Sequence, residues 1–158
     1  MRATGFEPVF DGNSRILVLG SFPSVKSRAE GFYYGNPQNR FWRTVCGFFG
    51  EEVPISVTDK RRFLLDHGIA LWDVITDCEI VGSADASIRD EIVADIPSVL
   101  RGSRITAILC NGTKSYSLLA EKFPELVPMA VKLPSTSPAN PRFSKEVWHK
   151  ELARYDYI

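Results

Sequence analysis

The sequence predicts an α/β fold, a three-layer sandwich with a central, mainly parallel four-stranded sheet. Two continuous apolar runs, residues 15–20 and 105–110, end in polar or glycine turns and have the pattern of strands buried on both faces. Two weaker runs, residues 69–72 and 129–133, complete the predicted sheet. Helix-like segments alternate with these strands, which is typical of a parallel sheet covered by helices on both faces.

Helix start and stop signals predict six helices between and after the strands. The predicted helices cover residues 39–49, 58–67, 85–95, 97–101, 113–123 and 144–155. In sheets of this kind, functional sites lie at the carboxyl ends of the strands. The loops that follow Leu19, Trp72, Cys110 and Leu133 are therefore expected to meet at one edge and to form the site.

Length and composition fit one ordinary globular domain, which we expect to cover residues 1–158. Apolar residues make up 44% of the chain and charged residues 24%, so the composition favours a packed core over disorder. The three cysteines, Cys46, Cys78 and Cys110, are odd in number and widely spaced, which predicts buried reduced thiols. The sequence has neither a long apolar run nor a signal-peptide pattern, and we expect a cytoplasmic monomer without membrane contact.

The charge balance argues against a large nucleic-acid-binding face. Lys plus Arg and Asp plus Glu each total 19, so the net charge is zero. Nucleic-acid-binding proteins usually carry a basic patch. A protein that grips few phosphates can instead use backbone N–H groups and helix N-termini, so DNA binding stays open.

Three sequence blocks follow the predicted strands and together resemble a known family. Residues 20–24 read GSFPS, residues 33–42 read YYGNPQNRFW, and residues 133–140 read LPSTSPAN. In this order they resemble the DNA-deoxyinosine (hypoxanthine-DNA) glycosylases and, more distantly, the mismatch-specific uracil-DNA glycosylases of the uracil-DNA glycosylase superfamily. The resemblance implies a monofunctional enzyme that flips a deaminated base out of double- or single-stranded DNA and hydrolyses its N-glycosidic bond without a cofactor.

The resemblance also points to catalytic residues. Phe22 stands where the mismatch-specific enzymes have an asparagine that orients the attacking water. Asn39 is the candidate for this displaced role, because an amide can hold a water while the leaving base is stabilised. Asn39 could equally cap the helix that begins at Arg40. Asp73, at a strand end, is a second catalytic candidate, with a helix cap as its alternative.

Base-binding residues follow from the same blocks. Tyr34 matches the aromatic floor of the base pocket in the mismatch-specific relatives, and stacking on such a ring contributes about 1–3 kcal/mol per base. Tyr33, Phe41 and Trp42 are expected to pack in the core. Asn111 could read a base edge, brace a loop or form a plain turn. The remaining base-binding candidates are Ser21, Phe22 and Ser135.

The proline-rich loop of residues 135–142 is the predicted duplex-contacting element, because small rigid loops can reach phosphates and enter the gap left by a flipped base. The relatives carry a bulkier side chain at the position of Ala139, so the loop should fill the gap left by the flipped base less completely here. The predicted DNA-binding residues are Ser24, Lys114, Ser137, Ala139, Asn140 and Arg142, with Lys145 as a further cation.

Other functions find less support. His67 and His149 lack metal-ligand spacing, and no motif places Lys114 for Schiff-base chemistry. One rival keeps the fold and acts on uracil or thymine in mismatches. A second is a non-enzymatic module that binds a nucleotide or phosphate through the Gly20 and Gly112 loops. A serine hydrolase built on Ser21 or Ser24 lacks a convincing histidine partner.

Overall fold

The computed structural model describes residues 2–82 and 87–155. The strands are β1 (Arg2–Thr4), β2 (Ile16–Gly20), β3 (Ile69–Asp73), β4 (Ile75–Glu79), β5 (Arg89–Val93), β6 (Ala107–Asn111) and β7 (Ala130–Leu133). The α-helices are α1 (Val25–Glu30), α2 (Phe41–Phe48), α3 (Val57–Asp66), α4 (Ile96–Arg101), α5 (Thr113–Lys122) and α6 (Lys145–Leu152). Turns of 3-10 helix at Pro124–Met129 and Ala153–Tyr155 precede β7 and follow α6.

The main sheet has four parallel strands in the order β3-β2-β6-β7, flanked by helices, which confirms the predicted fold class. Every residue of the neighbouring strands β2 and β3 is buried, as continuous apolar runs predict for strands covered on both faces. Their register places Gly20 opposite Asp73 at the carboxyl end. The loops that carry the predicted motifs therefore leave the sheet at one edge.

A second, smaller sheet corrects one prediction. Residues 89–93 belong to the helix predicted over 85–95, but they form β5, which pairs antiparallel with β4 in the order β1-β4-β5. Asp90 has a φ of 52°, a left-handed conformation that a right-handed helix does not accommodate. Residues 85 and 86 of that predicted helix lie outside the described part of the chain.

The other predicted helices form within two residues of their predicted starts. Asp95 caps α4, and Ser144 caps α6, each by accepting a hydrogen bond from a backbone N–H in the first turn. The helix predicted over 144–155 ends at Leu152 and continues as a 3-10 turn. Helix α1 was not predicted, because its six residues, VKSRAE, are too few and too polar to show apolar periodicity.

Aromatic residues from the second motif block anchor the core. Tyr33, Phe41 and Trp42 are buried, as predicted, and the Phe41 ring packs edge-on against Trp148 of α6. The three cysteines are buried and unpaired, also as predicted. Among the described residues, no helix is long and apolar enough to cross a membrane.

Candidate active site

A cavity of about 380 Å³ opens at the carboxyl edge of the parallel sheet, where the loops after β2, β3, β6 and β7 meet. Its walls also include the segment between α1 and α2. The predicted site residues that line it are Ser21, Phe22, Ser24, Tyr34, Asn39, Asp73, Asn111, Lys114, Ser135, Ser137 and Ala139. The fold therefore brings together most residues that the sequence selected, from segments far apart in the chain.

Two polar groups converge on Gly20, the last residue of β2. Asp73, which is 4% exposed, lies opposite Gly20 in the register. A Cβ placed on Gly20 would collide with the Asp73 carboxylate and would lie 3.2 Å from the Tyr34 hydroxyl. A residue without a side chain at position 20 is what makes room for both groups. Gly20, Asp73 and Tyr34 together are called the polar floor below.

Tyr34 enters the floor from the second motif block. Its backbone has a φ of 54°, which is uncommon for a residue with a side chain, and its ring stacks on Phe41 with centroids 4.4 Å apart. The Tyr34 hydroxyl is buried and has no hydrogen-bond partner among the described residues. A buried hydroxyl without a partner costs about 1–3 kcal/mol.

Burial raises the pKa of Tyr34 far above its usual range, and the Asp73 carboxylate raises it further. The nearby Asn111 side chain acts in the opposite direction but does not offset these causes. The hydroxyl therefore stays protonated at neutral pH and can donate a hydrogen bond.

Asn111 braces the loop that follows β7. Its Nδ2 donates to Thr136 Oγ1 at 3.0 Å, and its Oδ1 accepts from the Thr136 backbone N–H at 2.9 Å. Of the alternatives open for Asn111, the geometry therefore matches the loop brace. Thr136 is 1% exposed and was missed, because nothing in the sequence distinguishes it from the serines on either side.

Asn39 lines the cavity and also binds the start of α2, whose N-cap residue is Arg40. Its Oδ1 accepts a hydrogen bond from the Phe41 backbone N–H at 2.9 Å. Asn39 therefore satisfies an N–H at the start of the helix, as the cap alternative predicted, but does so from the residue before the N-cap. A carbonyl oxygen has two lone pairs, so this bond leaves the side chain able to hold a water as well. The catalytic role stays a prediction.

Arg40 ties the 135–142 loop to the rest of the cavity wall. Its guanidinium group donates to the carbonyl oxygens of Ser137 at 2.9 Å and Asn140 at 3.0 Å, and it lies over the Phe143 ring. Its backbone N–H donates to the Thr136 carbonyl oxygen. Sequence reasoning missed this residue, since a lone arginine gives no sign of its long-range partners.

Two predicted DNA-binding residues lie outside the main cavity. Asn140 and Arg142 line a neighbouring groove, which they share with Lys132. The Asn140 amide donates to the Ser135 carbonyl oxygen at 2.9 Å, and its Oδ1 accepts from the Arg142 N–H at 3.0 Å. The Asn140 side chain thus holds the shape of the loop, whereas the exposed Arg142 stays accessible.

Serines and a helix end complete the cavity mouth. Ser24 Oγ accepts from the Ser27 N–H and caps α1, while Ser135 Oγ accepts from the Ser137 N–H. Gly112, with a φ of 100°, precedes α5, and a Cβ there would lie 3.0 Å from Ser135. The first turn of α5, including Lys114, borders the cavity mouth. This is the N-terminal end of the helix, which favours anions.

Neither histidine lies in the cavity. A His67 ring nitrogen contacts Glu51, and a His149 ring nitrogen contacts the Thr44 carbonyl oxygen. Ser21 and Ser24 therefore lack a histidine to activate them, which removes the support for a serine hydrolase. No group of three or more metal-ligating side chains lies close together within residues 2–82 and 87–155.

The fold and the cavity define an α/β protein with a polar site at the carboxyl edge of a four-stranded parallel sheet. The chain belongs to the uracil DNA glycosylase superfamily, whose family model matches residues 7–156. This confirms the superfamily to which the motif resemblance pointed.

Relatives and a solved structure agree with this family. The chain is 40% identical over 146 residues to a hypoxanthine DNA glycosylase of Methanosarcina acetivorans. The aligned region covers 89% of this chain and 90% of the relative. It is 36% identical over 118 residues to a hypoxanthine DNA glycosylase of Methanosarcina barkeri, covering 73% and 74%. The solution NMR structure of a Methanosarcina acetivorans protein assigned to the uracil DNA glycosylases superimposes with a TM-score of 0.83 at 36% identity, covering 98% and 99% of the two chains.

Proposed function

We propose that this protein is a monofunctional DNA glycosylase that removes hypoxanthine from DNA. The observation that carries the proposal is the polar floor, in which a buried carboxylate and a buried tyrosine hydroxyl face a cavity at the edge of a superfamily fold. The two relatives named for hypoxanthine support the choice of base. The expectations of a single domain and of a cytoplasmic monomer remain predictions.

The proposed reaction begins when the damaged nucleotide turns out of the helix stack and its base enters the cavity beside Tyr34. Hydrolysis of the glycosidic bond develops positive charge on the sugar and negative charge on the departing base. Asn39 would hold the attacking water, and Asp73 would act on the base or the water from the floor. No motif places Lys114 for Schiff-base chemistry, so water is the nucleophile in this proposal.

The rival functions use the same cavity differently. A mismatch-specific uracil or thymine glycosylase needs a pocket for a pyrimidine, and the superfamily match alone is compatible with it. A non-enzymatic nucleotide- or phosphate-binding module needs only the glycine loops and the first turn of α5. That module would leave the buried Tyr34 hydroxyl without a use, so the enzyme explains more of the site.

The proposal is tested with end-labelled oligonucleotides that carry one deoxyinosine. We expect strand breaks after alkali, which cleaves abasic sites, and intact strands without alkali, because a water-dependent enzyme leaves the backbone uncut. An unmodified oligonucleotide of the same sequence is the control. Binding to the strand without alkali-labile sites would contradict the proposal and favour a binding module.

DNA binding should depend only modestly on salt. The exposed cations at the cavity mouth and the neighbouring groove are Lys114, Lys132 and Arg142, and the chain has no net charge. With about three to five neutralised phosphates, we expect a slope of log K against log salt of about −3 to −4. Fluorescence anisotropy across a salt series measures the slope, and a value near −8 would reveal a larger basic face.

A further inference from the structure

The polar floor offers one donor and one acceptor side by side. The Tyr34 hydroxyl keeps its proton and has no hydrogen-bond partner among the described residues, while the Asp73 carboxylate accepts hydrogen bonds. Tyr34 and Asp73 both line the cavity, and both pack close to the Gly20 Cα atom, so they lie side by side in its wall. Asn111 keeps at most one N–H and one lone pair for a ligand, because both polar atoms of its side chain already bind Thr136.

Deamination of adenine reverses the hydrogen-bonding pattern at two adjacent positions of the base. The exocyclic amine, a donor, becomes the carbonyl oxygen O6, an acceptor. Ring nitrogen N1, an acceptor, becomes the N1–H donor. A hydroxyl donor beside a carboxylate acceptor complements the N1–H and O6 of hypoxanthine, whereas adenine would place a lone pair against the carboxylate.

We propose that the Tyr34 hydroxyl and the Asp73 carboxylate form a lactam reader, with Tyr34 donating to O6 and Asp73 accepting from N1–H of the flipped base. This inference rests on the proposed function and adds the groups that distinguish hypoxanthine from adenine. In this arrangement the hydroxyl donates in the plane of the base, which replaces the stacking role that the motif resemblance implies, while the Tyr34 ring stacks on Phe41. Uracil carries the same lactam pattern on a smaller ring, and so do the normal bases guanine and thymine, so the reader discriminates against adenine and cytosine.

The hydroxyl can be removed without the ring. Tyr34→Phe keeps the stack on Phe41 and removes an atom that lacks a partner in the free protein. We therefore expect a melting temperature equal to or above that of the unchanged protein. Asp73→Asn keeps the shape of the second reader and replaces a fixed acceptor with an amide. Tyr33→Phe is the matched control, because the Tyr33 hydroxyl already donates to the Glu7 carbonyl oxygen at 2.7 Å.

The experiment measures single-turnover release of hypoxanthine and of unsubstituted purine, which lacks both O6 and N1–H, from otherwise identical oligonucleotides. For each variant, the rate for hypoxanthine is divided by the rate for purine. Comparing this ratio between variants cancels the differences in base pairing and leaving ability between the two substrates. We expect the ratio to fall about tenfold in Tyr34→Phe, and also to fall in Asp73→Asn, since one lost hydrogen bond is worth about that factor. Tyr33→Phe should leave the ratio unchanged.

The outcomes distinguish a failure of the lactam reader from a failure of the proposed function on which it rests. If the unchanged protein releases no hypoxanthine, the proposed function is wrong. If it releases hypoxanthine and Tyr34→Phe keeps the full ratio, the lactam reader is wrong while the function stands. Equal slowing of both substrates in both floor variants would also overturn the reader, because it would show a role in the chemical step and not in recognition.

Discussion

Replacing Asn39 with alanine is expected to slow base excision by at least about a hundredfold while DNA binding persists. This is the usual scale for removing a positioned polar group from a transition state. Phe22 occupies the position of the usual water-orienting amide, and Asn39 is an amide that lines the same cavity. Single-turnover excision under saturating enzyme measures the loss, and fluorescence anisotropy measures the binding.

The hydrogen bond that Asn39 accepts at the start of α2 requires a second variant. The alanine change also removes the hydrogen bond to the Phe41 N–H, at a cost of about 0.5–2 kcal/mol of stability. Serine is a good cap but carries no amide, so Asn39→Ser should keep the stability and still lose excision. Near-normal excision by a stably folded serine variant would show that Asn39 stabilises the helix start and does nothing more.

Gly20→Ala should damage both stability and activity. The added Cβ would collide with the Asp73 carboxylate and crowd the Tyr34 hydroxyl, both of which are held in a buried floor. We expect a loss of about 2–3 kcal/mol in the free energy of unfolding, within the range for overpacked cores. Excision should fall by about a hundredfold, because displacing a reacting group by an ångström has that effect.

Gly47→Ala is the matched control for this change. Gly47 lies in α2, and a Cβ there would meet nothing within 4 Å. Because alanine is the better helix former, we expect a gain of about 0.5–1 kcal/mol in stability and unchanged excision. Urea denaturation compares the two variants. A Gly20→Ala protein as stable and active as Gly47→Ala would contradict the described floor.

The parallel sheet could be predicted from the sequence because its strands are buried on both faces. Such strands appear as continuous apolar runs, and β2, β3 and β6 show this pattern. The small sheet could not be predicted in the same way. Residues 89–93 are three charged side chains followed by two apolar ones, without strand periodicity, and they are held by pairing with β4.

The candidate site was predictable where motif residues leave strand ends. The motif and strand-end positions point to Tyr34, Asn39 and Asp73, and all three line one cavity. The sequence could not predict which polar groups bind each other and which face the cavity. The pairing of Asn111 with Thr136 and the bonds from Arg40 to the 135–142 loop depend on tertiary geometry.

The most direct test of this account is the choice between hypoxanthine and uracil. A purine base spreads the developing charge over two rings and can accept a proton at N7, so its departure needs less help from the water that Phe22 cannot orient. Single-turnover assays on matched duplexes with deoxyinosine, deoxyuridine or deoxyxanthosine compare the bases. We predict faster release of hypoxanthine than of uracil, and faster release of uracil in every pairing would contradict the account.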